Sequence, residues 1–195
     1  SAPVIDCQNK IGMEIKNNGA AIIINAGNAN AFTGHQGEIA VHEIIAALSK
    51  RVEVPVERIF SSSTGVIGEP LEYEKIINVL DYLVDSVHEA KIEDAARAIM
   101  TTDTFPKGSS VELGDEGSKI KISGIAKGSG MIAPNMGTML VYIFTDALID
   151  KSELQSIITD LNEETFSCIT VDSDTSTSDT LLVSATGKSL SLIHI

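Results

Sequence analysis

The feature that most restricts the fold is a change of hydrophobic period along the chain. Ala20 to Asn25 is a short, mostly β-branched run, with Asn17, Asn18 and Gly19 before it and Gly27 after it. That pattern predicts a buried strand. From Gly37 to Lys50 the period changes: Ile39, Ile44, Ile45 and Leu48 recur at helical spacing with Val41 off the pattern, and Lys50 and Arg51 stand where a helix C-terminus favours cations. Arg58 to Ser62 predicts a second strand, running into a turn at Ser63, Thr64 and Gly65. Leu71 to Val87 predicts one helix, with Tyr73, Ile76, Ile77, Leu80, Leu83, Val84 and Val87 on one face. Ile92 to Met100 predicts another, ended by the polar cluster Thr101 to Thr104 and by Pro106 and Gly108. Further on, Lys119 to Ala126 alternates as a half-exposed strand does, and Met139 to Phe144 is strand-like. Ser152 is placed to cap a helix running to about Phe166. Cys168 to Val171 predicts a strand, followed by a polar loop, Asp172 to Asp179. Strands and helices mixed along the whole length mean an α/β or α+β chain.

Composition narrows the function classes. With 195 residues, 43% of them hydrophobic, the chain can bury one sizeable core or two small ones. Aromatics make up only 4%, so Ile, Val, Leu and Ala must build the interior. The formal charge of -13 repels phosphate backbones, and no nucleic-acid partner is expected. Cys7 and Cys168 lack CxxC spacing, as expected of incidental thiols in a reducing compartment. No apolar run reaches membrane-spanning length and no signal peptide opens the sequence, so a cytoplasmic protein without a membrane partner is expected. Both ends read as interior sequence, and a fragment of a longer protein is expected: one α/β domain over 1–187, then an atypical tail over 188–195.

The unusual stretch is Gly124 to Leu140. It holds four glycines and Pro134 between its first residue and Gly137. Lys127 sits among small residues, where a ligand can approach its ammonium group. Gly137 precedes Thr138 at the start of an apolar strand. A glycine there can adopt dihedrals that bring the following hydroxyl onto the preceding carbonyl. The resulting N-to-O acyl shift, followed by hydrolysis, would free an N-terminal threonine. Its α-amine, with an unperturbed pKa of roughly 7.7–8.0, can act as base for its own hydroxyl. On the residues alone, a plain glycine turn feeding a strand is the commoner explanation. A phosphate loop does not fit, because Lys127 precedes Gly128, Ser129 and Gly130 instead of following the glycines. Asp172, Asp174 and Asp179 lack the glycine and closing glutamate of a calcium loop, and no metal is expected.

Lys127-Gly-Ser-Gly-Met-Ile-Ala-Pro-Asn-Met-Gly-Thr-Met-Leu140 resembles the self-cleavage motif of the ornithine acetyltransferase family, the bifunctional glutamate N-acetyltransferases of arginine biosynthesis. Four other segments also match, in family order. They are Asn25 to Ala31 with Thr33 and Gly34, Ser62 to Gly68, Met100 to Thr104, and Asp172 to Thr180. The resemblance implies a layered α/β sandwich like that of N-terminal-nucleophile proteins. It implies cleavage between Gly137 and Thr138, giving an α chain of residues 1–137 and a β chain of residues 138–195, assembled as two α and two β chains. Thr138 matches the nucleophile, which takes the acetyl group from N-acetylornithine and passes it to glutamate. Thr64 and Gly65 match the oxyanion hole, Lys127 a substrate-binding lysine, and Thr101, in preference to Thr102, a substrate-binding threonine. Gly137 departs from the alanine commoner before the scissile bond, and the family's C-terminal substrate contacts have no counterpart here. No cofactor is implied; acetyl-CoA is a substrate of some members. The other readings are an inactive fragment and a self-cleaving aminopeptidase of related architecture.

Overall fold

The structure, a computed structural model, describes residues 1–15, 19–115, 119–132 and 139–189. The chain forms two compact units, the first ending at Thr101 and the second beginning at Thr102.

The first unit begins with α1 (Ala2–Ile11), β1 (Ala21–Asn28) and α2 (Gly34–Val52). After a short 3-10 turn come β2 (Ile59–Val66), α3 (Tyr73–Ile77), α4 (Leu80–Asp85) and α5 (Ile92–Ala98). β1 and β2 pair in parallel, from Ala21 opposite Ile59 to Gly27 opposite Gly65. Parallel neighbours need a crossover, and α2 supplies it. The core gathers Val41, Ile45 and Leu48 of α2 against Ile59 and Leu80. Val41 therefore belongs to the helical pattern: it stands with Gly37, Ala40, Ile44, Ile45 and Leu48 on the buried face, and Ile39 is the residue left exposed. Counting the period from Ile39 sets the wrong phase.

Two other expectations for this unit are corrected. Thr64 and Gly65 are not a turn but the continuation of β2, which stays paired with β1 as far as Val66. The single helix over 71–87 is two short helices. Between them the Val79 N–H bonds the Ile76 carbonyl at 3.1 Å, a three-residue closure that tightens the backbone. Leu80, fully buried, starts the second helix in the core with Ile76, Ile77 and Val84 packed around it.

The second unit is a four-stranded sheet: β3 (Lys107–Leu113), β4 (Ile120–Lys127), β5 (Leu140–Thr145) and β6 (Thr180–Ala185), in that order. β3–β4 and β4–β5 are antiparallel; β5–β6 is parallel. Its crossover is α6 (Lys151–Glu164). Ser152 does not cap this helix. Asp150 does, accepting the Ser152 N–H at 2.8 Å and its hydroxyl at 2.5 Å, because a carboxylate is the stronger acceptor. Cys168 to Val171 is not a strand either. Phe166–Cys168 is a 3-10 turn, and the edge of β5 that 168–171 would need is taken by β6. With parallel pairs and crossover helices in both units, the chain is of the α/β class.

Topology decides which side chains meet. Lys107 opens β3, Lys127 closes β4, Leu140 opens β5 and Thr180 opens β6, and their pairings place all four at one end of the sheet.

Candidate active site

In the first unit, Thr64 and Gly65 follow one another near the C-terminal end of β2. Asparagines in the last half of β1 hold that end in place. Ser63 donates to Asn25 Oδ1 at 2.5 Å, and Asn25 Nδ2 donates to the Asn28 carbonyl at 2.8 Å. Asn28 Nδ2 reaches the Glu69 carbonyl at 3.0 Å, tying the end of β1 to the chain beyond β2. Asn30 has a φ of 44° and is fully buried, in the left-handed region that Asn tolerates better than most residues. It is satisfied by the Gly37 carbonyl at 3.0 Å and the Thr33 hydroxyl at 2.9 Å.

Thr64 is 1% exposed, and its hydroxyl has no hydrogen-bond partner among the described residues. A buried hydroxyl left unpaired costs free energy, and the Ser61 and Ser62 hydroxyls of the same strand share that state among the described residues. Gly65 has a φ of 132°. A Cβ there would lie 2.3 Å from the Gly27 carbonyl carbon and 2.5 Å from its oxygen. Only glycine fits both the dihedral and the approach of the two strands.

In the second unit the chemistry gathers at the sheet end described above. Lys127 is 2% exposed, and burial pushes its pKa down, against the pull of Asp103 and Asp179. Asp103, also buried, accepts from the Lys107 ammonium at 2.5 Å and from the Gly128 N–H at 2.8 Å, both at Oδ1. The Gly128 bond fixes the backbone next to Lys127. Asp179 accepts the Met139 N–H at 3.0 Å. Burial raises its pKa to about 6, although the Met139 amide and the Lys127 charge both pull it down. Two lysines and two aspartates thus share one partly dry region, beside the residue that follows Thr138.

Of the residues singled out in the sequence, Thr64 and Gly65 belong to the first unit and Lys127 to the second. Thr101 is exposed at the end of the first unit, and Thr102 is exposed where the second begins. Gly137 and Thr138 lie outside the described residues. Asp103 was not singled out, and Asp179 was weighed only as part of a calcium loop and set aside. Each stood inside a segment already noted, Thr101 to Thr104 and Asp172 to Thr180, and the only available signal was an acidic residue among hydroxyls. Among the described residues, no group of three His, Cys, Asp or Glu is placed to hold a metal. None of the described helices is long and apolar enough to cross a membrane.

The chain is 58% identical over 189 residues to the arginine biosynthesis bifunctional protein ArgJ of Ruegeria pomeroyi, covering 97% of this chain and 46% of that protein. It is 47% identical over 188 residues to the protein of the same name from Bartonella henselae, covering 96% of this chain and 45% of the relative. The chain thus spans about half the length of the curated relatives it matches. The crystal structure of the Bacillus halodurans arginine biosynthesis bifunctional protein ArgJ superposes with a TM-score of 0.60 at 34% identity, over 72% of this chain and 71% of that one. The model of the ArgJ family matches residues 1–194. The chain belongs to the ArgJ family.

Proposed function

We propose that this chain carries the nucleophilic half of an acetyltransferase that moves the acetyl group of N-acetylornithine to glutamate in arginine biosynthesis. The observation that carries the reading is the buried Lys127 close to Asp179, which in turn accepts the N–H of Met139, the residue that follows Thr138 in the sequence. In the maturation step the Thr138 hydroxyl attacks the Gly137 carbonyl. The C–N bond breaks, the nitrogen takes the hydroxyl proton, and an ester forms. One water hydrolyses the ester, leaving a Gly137 carboxylate and a free N-terminal Thr138.

In turnover the Thr138 amine takes the proton from its own hydroxyl as that oxygen attacks the acetyl carbonyl. The family resemblance assigns the oxyanion of the tetrahedral intermediate to the Thr64 hydroxyl and the Gly65 N–H. Its collapse expels the ornithine amine, which takes the proton. Glutamate's neutral amine then attacks the acetyl-threonine ester, the acyl C–O bond breaks, the Thr138 amine relays the proton from the attacking nitrogen to the leaving Thr138 oxygen, and N-acetylglutamate leaves. Both amino acids carry an α-carboxylate, so one cation, Lys127, serves both half-reactions. Thr101 supplies a hydroxyl to the substrate. The substrates are small molecules, no cofactor is needed, and acetyl-CoA serves as a second acetyl donor if the protein is bifunctional. The working assembly is two α and two β chains in the cytoplasm.

The test is the mass of the purified chain and of its Thr138→Ala variant, each also extended to the length of its relatives. The parent should yield a product beginning Thr-Met-Leu-Val and should transfer acetyl groups from N-acetylornithine to glutamate. The variant should stay whole and inactive. A folded parent that remains uncut after long incubation would remove the reading.

A further inference from the structure

Met131 and Ile132, which precede residues 133–138 in the sequence, and Met139, which follows them, are all held by one loop, residues 172–179. At the upstream anchor Asp172 accepts the Met131 N–H through Oδ2 at 2.6 Å and the Ile132 N–H through Oδ1 at 2.9 Å. The Ile132 carbonyl in turn accepts from the Val171 N–H at 2.7 Å and the Asp172 N–H at 3.2 Å. At the downstream anchor Asp179 Oδ1 accepts the Met139 N–H at 3.0 Å, and the Met139 carbonyl accepts from the Thr180 N–H at 3.0 Å. The two ends are built alike: an aspartate takes the amide hydrogen, and a backbone amide takes the carbonyl oxygen.

The sequence offset is the same at both. Ile132 and Asp172 are 40 residues apart, as are Met139 and Asp179. This offset is also the register of the parallel pair β5–β6, where Leu140 faces Thr180. The ladder's offset therefore holds at Met139 and again at Ile132, the described residues on either side of 133–138. Met131 adds a φ of 55°, a costly conformation for a non-glycine residue that persists only where its surroundings impose it. The Asp172 bond to its N–H is one such constraint.

Self-cleavage requires one hydroxyl to reach one carbonyl within a narrow range of angles. Restraining the ends of the segment reduces the conformations it must search. The downstream restraint acts next to the chemistry, since Met139 N is bonded to the Thr138 carbonyl carbon and their peptide is planar. We infer that the loop 172–179 is a two-point brace, with Asp172 and Asp179 as positioning residues that set the scissile peptide for self-cleavage. The inference rests on the self-cleavage reading above. It adds a role for two aspartates that neither bind the substrate nor take part in the bond changes.

The two carboxylates differ in a way that permits a test. Asp172 uses both oxygens as acceptors, and an Asn there would point an NH2 group at an N–H donor. Among the described residues Asp179 accepts only through Oδ1, which an Asn preserves. Cleavage should be followed by intact mass in the full chain, alongside its thermal midpoint. Asp172→Asn and Asp179→Ala should each slow cleavage per folded molecule by about ten-fold or more, the scale of one lost charge-assisted hydrogen bond. Asp179→Asn should recover most of the rate lost in Asp179→Ala. A second readout uses the uncut Thr138→Ala chain. Amide hydrogen exchange there should show Met131, Ile132 and Met139 protected, with Asp172→Ala exposing the first two and Asp179→Ala the third. Lower thermal midpoints with unchanged cleavage rates would overturn the brace, as would free exchange of those amides in Thr138→Ala alone. Protected amides in a chain that never cuts would instead remove the self-cleavage reading, and the purpose of the brace with it.

Discussion

Asp179 carries a cost that the native fold accepts for the sake of position. A carboxyl in the unfolded chain titrates near 3.8, whereas in the folded protein burial raises this one to about 6. Between those values the native state still holds a proton that the unfolded state has released. Unfolding free energy therefore falls as pH rises through that window, and above it the penalty is constant. Asp179→Asn cannot ionise and escapes the penalty. Its thermal midpoint relative to the parent should rise steadily from pH 4 to pH 7 and then level off. Melting curves of the two proteins across that range give the answer, and a difference that ignores pH would mean that Asp179 is not the titrating group. A stability gain at neutral pH from replacing a site residue is the usual mark of a position kept for function. No local pattern hints at this environment. Lys127 stood out among glycines, but its neighbours Asp103 and Asp179 lie 24 and 52 residues away in the chain, and only the strand pairing brings them together.

At the scale of elements, what could be read in advance depended on whether the cause was local. The β-branched run became β1 and the Met139 to Phe144 run became β5, nearly in place. α2 was legible as a helix, though not its phase. Two of the misreadings have distant causes: Leu80 pinned into the core divides a helix, and β6 occupies the edge that Cys168 to Val171 would need. Thr64 and Gly65 looked like a turn because glycine commonly ends strands, and no local signal reveals that Gly27 stands opposite. That pairing makes Gly65 the most demanding position of β2. Gly65→Ala places a Cβ 2.3 Å from backbone carbon in a dihedral that L-residues avoid. Backbone strain of this kind together with overpacking should destabilise the first unit by about 3 kcal/mol. Chemical denaturation measures it. A midpoint within error of the parent would show that the strand ends spread apart to admit the methyl group. Thr64 would then lose the rigid support an oxyanion donor needs.

For the whole molecule, the cut at Gly137–Thr138 would fall within the connection between β4 and β5, which are paired neighbours. The α chain would keep the first unit together with β3 and β4, and the β chain would keep β5, α6 and β6. What joins the two pieces is independent of the severed peptide. The β4–β5 ladder runs from Ile122 opposite Thr145 to Lys127 opposite Leu140. Beyond one end of that ladder Lys121 donates its N–H to Asp146 at 2.8 Å. At the other, the Met131 and Ile132 amides are held by Asp172, and Ile132 packs with Met139 and Val141. Releasing the β chain would expose strand edges and this apolar cluster together, a loss that the entropy of freeing one chain end does not offset. The cut protein should therefore run as one species in size exclusion and native mass spectrometry, with both pieces present in equal amounts, and should separate only in denaturant. Removing the β5 contacts should change that outcome while leaving the chemistry of the cut intact. Val141→Asp, which buries a charge in the cluster, should let the pieces separate in native buffer. Cut pieces of the parent that separate without denaturant would mean that the ladder alone does not hold them, and that the uncut connection is what keeps β4 and β5 together.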